Sequence, residues 1–399
     1  MHFTEAYVRH VARDVTFWAW PMVDVILGRA SGRVLPQADV VSYVATLALD
    51  KEPVVVQVPD FGDRFWLCLA ADLRTDAFAN LGTMYGTKPG FDMLVGPRWN
   101  GETPRGIARV FHARTNTVVL VPRVFTDGTL SDRATAEALL NRLLAYPLSH
   151  FDGAMKTSAP GATRSVPPAG FFESLAVVLQ DAPPLPGEET RYEEARALLE
   201  AMKRDAAMKS AAIEEEARAE QELVAPLSDF DNVGLTLPDH WTTLRNGADF
   251  GTDYYSRTAA ARADIFLNRP DEERSFYLDR DRDGTRLNSA RRYTVTFRKG
   301  ALPPVRGFWS LALYDAQHAA AANQAGRFSL GTANKDLAPS ADGSLVIAVQ
   351  ADEPLAAGLR ANWLPAPKGG DFSLVLRAWW PESAIATGRW TPPPAVRVN

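Results

Sequence analysis

Apolar positions along the chain repeat first with the period of a helix and then with that of a strand. Between residues 4 and 28, Tyr7, Val8, Val11, Val15 and Trp18 share one helical face, Thr4 stands where an N-cap belongs, and Glu5 lies in the first turn. Pro21 has no amide hydrogen and is expected to kink or end this helix. The pattern then changes to short runs rich in Val, Tyr, Phe and Thr at 41–49, 54–58, 65–70, 107–113 and 117–124. Turn clusters such as Asp60-Phe61-Gly62-Asp63 and Trp99-Asn100-Gly101 separate the runs, which predicts an antiparallel sandwich. Ser131 reads as the cap of a following helix whose Leu139, Leu140, Leu143 and Leu144 dock on that sandwich.

Pro160, Pro167, Pro168, Pro183, Pro184 and Pro186 mark 156–187 as a linker, interrupted by one short helix at 171–179. From 188 to 224 the composition turns to Ala, Glu, Lys and Arg, with Leu199, Met202, Ala206, Ile213, Ala217 and Val224 at helical spacing. That stripe is narrow and made largely of small residues, so it predicts a long, mostly solvated connecting helix. After Asp229 strands return: 292–298 and 344–350 alternate, while 308–314 and 372–380 are apolar on both faces, as strands covered on both sides must be. The expected architecture is mainly β with helical segments: two antiparallel, jelly-roll-like β-sandwiches joined by a helical linker, divided at 1–155, 156–225 and 226–399.

A chain of 399 residues with 46% hydrophobic content is long enough for two cores. Its net charge of −5, with both signs mixed along the chain, leaves no electrostatic footprint for a nucleic-acid or membrane partner. Cys68 is the single cysteine, which excludes an intrachain disulfide; its flanks Trp66-Leu67 and Leu69-Ala70 make it a buried strand residue rather than a reactive thiol. Arg9, His10, Arg13 and Asp14 interrupt the first helix, so no membrane span is expected there. The expected location is cytoplasmic, or periplasmic or secreted if an export signal has been removed.

Candidate chemistry is sparse. His2, His10, His112, His150, His240 and His318 are far apart, and HExxH, CxxC, GxGxxG, P-loop and GxSxG patterns do not occur, so neither a metal nor a cofactor is expected. Asp279-Arg280-Asp281-Arg282-Asp283-Gly284 opens like a calcium loop, but the twelfth position is Ala290, and Arg280, Arg282 and Arg286 oppose a cation; it reads as a charged β-turn. Among the tryptophans, Trp309 and Trp380 read as core, whereas Trp363 lies in the loop Asn362-Trp363-Leu364-Pro365 and offers a flat face to a ligand. The candidate ligand-binding set is Trp363, Asn362 and Trp309. Arg377 interrupts an apolar run and must either pair with a carboxylate, with Asp315 and Glu272 as candidate partners, or face a bound anion. These three are the candidate catalytic residues.

Several segments carry a family resemblance. In the second half they are Phe308-Trp309-Ser310-Leu311, Tyr314-Asp315, Asp342-Gly343-Ser344-Leu345, Asn362 through Pro367, Arg377, and Trp390 through Pro394. In the first half they are Val58-Pro59-Asp60, Asp76-Ala77-Phe78-Ala79-Asn80, Gly82-Thr83, Gly96-Pro97-x-Trp99-x-Gly101 and Arg123. At these spacings the chain resembles a bacterial family of tandem domains of unknown function, twelve-fifty-four followed by twelve-fourteen. The resemblance implies the jelly-roll-like architecture and lends no reaction. Where the family has Pro-Asn-x-Asp-Thr-Leu-Tyr-Ser, this chain reads Pro36-Gln37-Ala38-Asp39-Val40-Val41-Ser42-Tyr43, keeping the Pro and the Asp; Met84 replaces an Arg and Ser275 a Tyr. The functional expectation is a small-molecule or carbohydrate ligand held in an interdomain or sandwich cleft, with hydrolytic or other acid/base activity. The alternative is a structural or protein-interaction module that forms a homo-oligomer through its aromatic loops.

Overall fold

In the computed structural model, which describes residues 3–162, 170–320, 323 and 325–398, helix α1 (Glu5–Ile26) continues past Pro21. Proline at that position deprives the carbonyl of Phe17 of its intrahelical donor. The Thr258 hydroxyl takes the vacated place, donating to Phe17 O at 3.0 Å, and the helix runs on to Ile26 rather than ending at the proline. Thr4 caps it as expected, accepting from the Tyr7 amide. Of the positions named above, His2, Pro167 and Pro168 lie outside the described residues.

The first sandwich comprises β1 (Val40–Ser42), β2 (Ala45–Ala48), β3 (Val54–Val58), β4 (Trp66–Asp72), β5 (Ala77–Gly82), β6 (Gly90–Val95), β7 (Ile107–His112), β8 (Thr117–Phe125) and β9 (Leu144–Pro147). One sheet runs β1-β8-β4-β5 with β2 also paired to β8, and the other runs β7-β6-β3-β9. Helix α2 (Leu130–Leu140) is capped by Thr129, two residues before the expected Ser131. Alternation along β4 sends Trp66, Cys68 and Ala70 into the sandwich core and Leu69 and Ala71 to the opposite face. Cys68 is accordingly a buried hydrophobe, and burial pushes its thiol pKa up.

The expected long solvated helix is instead two packed ones. After α3 (Phe171–Asp181), α4 (Glu189–Arg204) stops at Asp205, which adopts an extended backbone and caps α5 (Ala206–Ala219) by accepting the Ala207 amide at 2.8 Å. Tyr192, Ala195, Leu198 and Met202 of α4 and Ala211, Ala212 and Ala219 of α5 are buried. Of the stripe read from sequence, Met202 and Val224 are buried but Ala206, Ile213 and Ala217 are exposed; the α5 alanines that turn inward are Ala211, Ala212 and Ala219. This helical layer covers Leu69, Ala71, Val119 and Val121 on the outer face of β4 and β8. Buried Glu188 ties it together, accepting from Trp18 at 3.2 Å, Tyr254 at 3.0 Å, the Leu185 amide at 2.8 Å and Arg74 at 3.3 Å.

The second sandwich comprises β10 (Leu235–Thr236), β11 (Trp241–Thr243), helix α6 (Tyr254–Ala263), β12 (Glu273–Leu278), β13 (Arg292–Phe297), β14 (Trp309–Asp315), β15 (Ser329–Gly331), β16 (Leu345–Gln350), β17 (Trp363–Pro365), β18 (Phe372–Trp379) and β19 (Ala395–Val398). Its sheets run β10-β11-β12-β18-β14-β15 and β17-β16-β13-β19. Neither sandwich is wholly antiparallel: β6 and β7 pair in parallel, as do β16 and β17, each at a sheet edge. Along β18, Phe372, Leu374, Leu376 and Ala378 fill the core between the sheets, while Val375, Arg377 and Trp379 point out. A large apolar side chain left in water would forfeit ~1.5–3 kcal/mol. The outer face is therefore covered, by α6 and by the first half of the chain.

Candidate functional site

That covered outer face carries a row of polar groups. Strand register sets Ser275, Arg377 and Ser310 side by side across β12, β18 and β14, with Glu273, Tyr277 and Tyr314 on the same face. Arg377 donates to Asp264, just beyond α6, at 3.0 Å and to the Tyr314 hydroxyl at 2.8 Å. Both acceptors reach across the seam to the first half of the chain. Asp264 accepts the Leu35 amide at 3.2 Å, and Tyr314 donates to Pro36 O at 2.6 Å. Asp39 accepts from Ser329 at 2.9 Å, and Arg123 of β8 donates to Asn268 at 3.2 Å and to Phe266 O at 2.7 Å.

All of these side chains are buried. Burial works against the charge on Arg377, but Tyr314, Asp264 and Glu273 outweigh it and hold the guanidinium firmly protonated. Burial raises the Asp39 carboxyl, with Ser310, Ser329 and Arg377 partly offsetting it, and raises that of Glu273, with Arg377 and Ser275 partly offsetting it. The seam thus sets carboxyls raised by burial beside guanidiniums that partly offset the rise, the kind of setting in which acid/base groups are tuned. Tyr277, whose hydroxyl makes no hydrogen bond of normal geometry among the described residues, lines a recess of about 10 Å³ with Glu273, Ser275 and Asn268.

Beside Asp39 the seam opens into a cleft of about 670 Å³ walled by Pro36, Thr129 and Arg133 of the first half and Arg327, Ser329 and Lys335 of the second. A neighbouring recess of about 490 Å³ shares Lys335 and runs between Phe65 and Trp380. Both are within the size range of small-molecule sites.

The two halves that meet here are both recognisable. Residues 21–147 match the protein of unknown function DUF1254, and residues 272–383 match the protein of unknown function DUF1214. The chain belongs to this tandem-domain family. Its fold is similar to that of the VPA0106 protein from Vibrio parahaemolyticus, with a TM-score of 0.71 at 20% identity, covering 98% of this chain and 100% of that one. An uncharacterized protein from Burkholderia cenocepacia aligns over 96% of this chain and 86% of that one at 10% identity, with a TM-score of 0.46. No protein of curated function matches.

The family positions in this chain do not gather where the sequence suggests. Arg377 pairs with Asp264, not with Asp315 or Glu272. Asp315 closes a turn by accepting the amides of Gln317 and Ala319, each at 2.9 Å. Glu272 accepts from Tyr85 at 2.5 Å and from the Arg269 amide at 2.9 Å, another cross-seam contact. Trp309 lies in the sandwich core, and Asn362 exchanges two hydrogen bonds with the backbone of Ala338, at 2.9 and 2.7 Å. Trp363 lines a further cleft of about 760 Å³ with Arg360 and Lys368, which shares Arg327 with the cleft at Asp39. Trp390 packs edge-on against Phe276 and donates to Ala301 O, within this chain. Trp380, expected in the core, is only half-buried.

The Asp279–Gly284 segment is the charged turn its sequence predicts: Asp281 accepts the amides of Asp283 and Thr285. Asp279 itself turns inward, bonded to Ser373 and to the Phe230 amide, with carboxylate oxygens of Asp229 and Asp231 within 4.8 Å. Arg286 and Arg280 neutralise that cluster, at 3.0 Å from Asp279 and 2.5 Å from Asp231. Sequence reasoning missed Asp264, Glu273 and Tyr277. The legible signal was parity: Glu273, Ser275 and Tyr277 alternate with apolar Phe276 and Leu278 on a strand whose second face must also be buried.

Proposed function

We propose that the protein binds a small polar molecule, in the class of carbohydrates and hydroxy acids, in the cleft between its two sandwiches, with Asp39 as the carboxyl that meets it. The observation that carries this reading is Asp39 itself. It comes from the segment that keeps the family's Pro and Asp, it lines the cleft, and its carboxylate can accept hydrogen bonds from the hydroxyls of such a ligand. Acid/base turnover, including hydrolysis, is the further reach of the same reading, with Arg377 and Tyr314 as positioning groups behind Asp39. We also take 1–155, 156–225 and 226–399 as the working domain division, with the middle segment as the helical cover.

The reading is tested by a thermal-shift screen of neutral sugars and hydroxy acids, followed by titration calorimetry on those that stabilise. A hydrogen bond to a charged group contributes ~1.5–3 kcal/mol, so Asp39→Ala should weaken a true ligand about tenfold or more. A ligand that binds parent and variant alike does not use this site, and a screen without stabilisers at millimolar concentration removes the proposal. Glycoside and ester assays on the same pair of proteins test the catalytic extension. The oligomer alternative loses support from Trp390, whose ring is engaged inside its own chain.

A further inference from the structure

We infer that the recess beside Trp380 binds an anion with a flat apolar body, an aryl carboxylate in chemical class. It is distinct from the cleft at Asp39 and meets it only through Lys335. Its walls are aromatic and come from both halves: Phe65 and Phe125 from the first, Phe308 and Trp380 from the second. Phe125 and Phe308 have ring centroids 4.5 Å apart, Phe65 meets Phe308 edge-on at 5.5 Å, and Phe308 stacks on Trp379 at 5.2 Å. Phe308 and Trp379 are buried, whereas Phe65, Phe125 and Trp380 keep part of their rings open. Gly307 permits the approach: a Cβ there would lie 2.8 Å from Trp379 O and 3.1 Å from the Phe65 ring.

The charges at the rim are positive and available. The Arg306 guanidinium lies over the Trp380 ring at 5.9 Å and has no carboxylate partner among the described residues. Lys335 donates to Thr332 O and likewise has no carboxylate partner among them. Arg64 contributes little, because Asp132 already neutralises it at 2.6 Å, and Asp63 is the acidic residue among those lining the recess. Two uncommitted cations over aromatic walls favour a negative group joined to a flat ring. An inorganic anion would leave the walls unused.

Trp380 also sits at φ +49°, a left-handed conformation that a bulky residue rarely adopts. Two backbone hydrogen bonds hold it there, from its own amide to Glu272 O at 2.8 Å and from the Arg306 amide to Trp380 O at 2.9 Å. Such conformations persist where the surrounding fold over-determines them, and they cluster at ligand clamps. Here the result is that the main-chain positions from which the indole and the guanidinium extend are held together before any ligand arrives.

Calorimetric titration with 2-naphthoate and its neutral counterpart 2-naphthamide tests the inference on the full chain. Naphthoate should bind at least tenfold more tightly than the amide. Arg306→Gln, a change at an exposed side chain, should erase most of that preference, and Trp380→Gly, which suits the backbone, should weaken both ligands. Near-ultraviolet circular dichroism and the melting temperature check that each variant is folded. Asp39→Ala should leave naphthoate affinity unchanged, so failure here and failure of the Asp39 reading are separable. Equal affinity for the two probes, unaltered naphthoate binding in Arg306→Gln, or inorganic phosphate binding as tightly as naphthoate would each overturn the assignment.

Discussion

Arg377 and Asp264 form a buried ion pair at 3.0 Å, and the carboxylate that answers the strand arginine comes from the end of α6 rather than from the sheet. Because Asp264 also holds the Leu35 amide, the pair fastens the entry to the first sandwich onto the second. A buried pair of this kind contributes modestly as a whole, but either member alone is costly.

Arg377→Met is therefore expected to destabilise by ~3–5 kcal/mol, leaving Asp264 and the Tyr314 hydroxyl without their donor. The double variant Arg377→Met/Asp264→Leu should cost less than the sum of the single changes, as residues in one network do. Denaturant melts of the three variants measure the coupling; strict additivity would contradict it.

The Asp279 carboxyl is pushed up to about 7, first by burial and then by its hydrogen bond with Asp229, with Ser373 and Arg286 offsetting only part. A carboxyl raised in the folded state is protonated there while the unfolded chain has already lost its proton. Its contribution to stability is complete below about pH 4 and is lost as pH rises through 7. The Asp229 carboxyl is lowered, so its own pH dependence falls below this window. Between pH 5 and 8 the parent should lose stability relative to Asp279→Asn, which cannot titrate. Melting both proteins across that range reads the difference, and parallel curves would contradict the shared proton.

Thr258→Val keeps the shape of a buried side chain but removes the donor to Phe17 O. A buried acceptor left unsatisfied costs ~1–3 kcal/mol. The cost should fall in a Pro21→Ala background, where the restored amide can serve Phe17. A Thr258→Val penalty unchanged by Pro21→Ala would show that the proline is not what creates the need.

At Trp380 the backbone and the side chain make opposite demands. Trp380→Ala loses the ring and keeps the strained φ, whereas Trp380→Gly loses the ring and relaxes the backbone. The glycine variant should be the more stable of the two by about 1 kcal/mol. An alanine variant that melts higher would mean that φ +49° is not under strain.

The pattern of the chain made the strands and their double burial legible, because β14 and β18 read as apolar on both faces and are covered on both. The packing of α4 and α5 was not legible, because a stripe built from alanines is too small to register as amphipathic and works only when a partner helix comes close. Arg377 announced that it needed a carboxylate, but its partner lies 113 residues earlier in a segment with no motif. The fold of Phe65, Phe125, Phe308 and Trp380 around one recess could not be read at all, since it depends on how two sandwiches meet.

The cross-seam bonds have a consequence for inheritance. Asp76 receives Arg257, Asn80 receives Arg269, Arg123 reaches Asn268, and Tyr85 reaches Glu272. Each bond joins a residue of the first half to one of the second, and most of the first-half members stand in the segments that identify the family. A hybrid gene taking its two halves from diverged relatives would bring unmatched surfaces together and strand guanidiniums in a dry interface. The halves are thus constrained to be transmitted as one unit, and a substitution on either side is screened against the partner already present on the other.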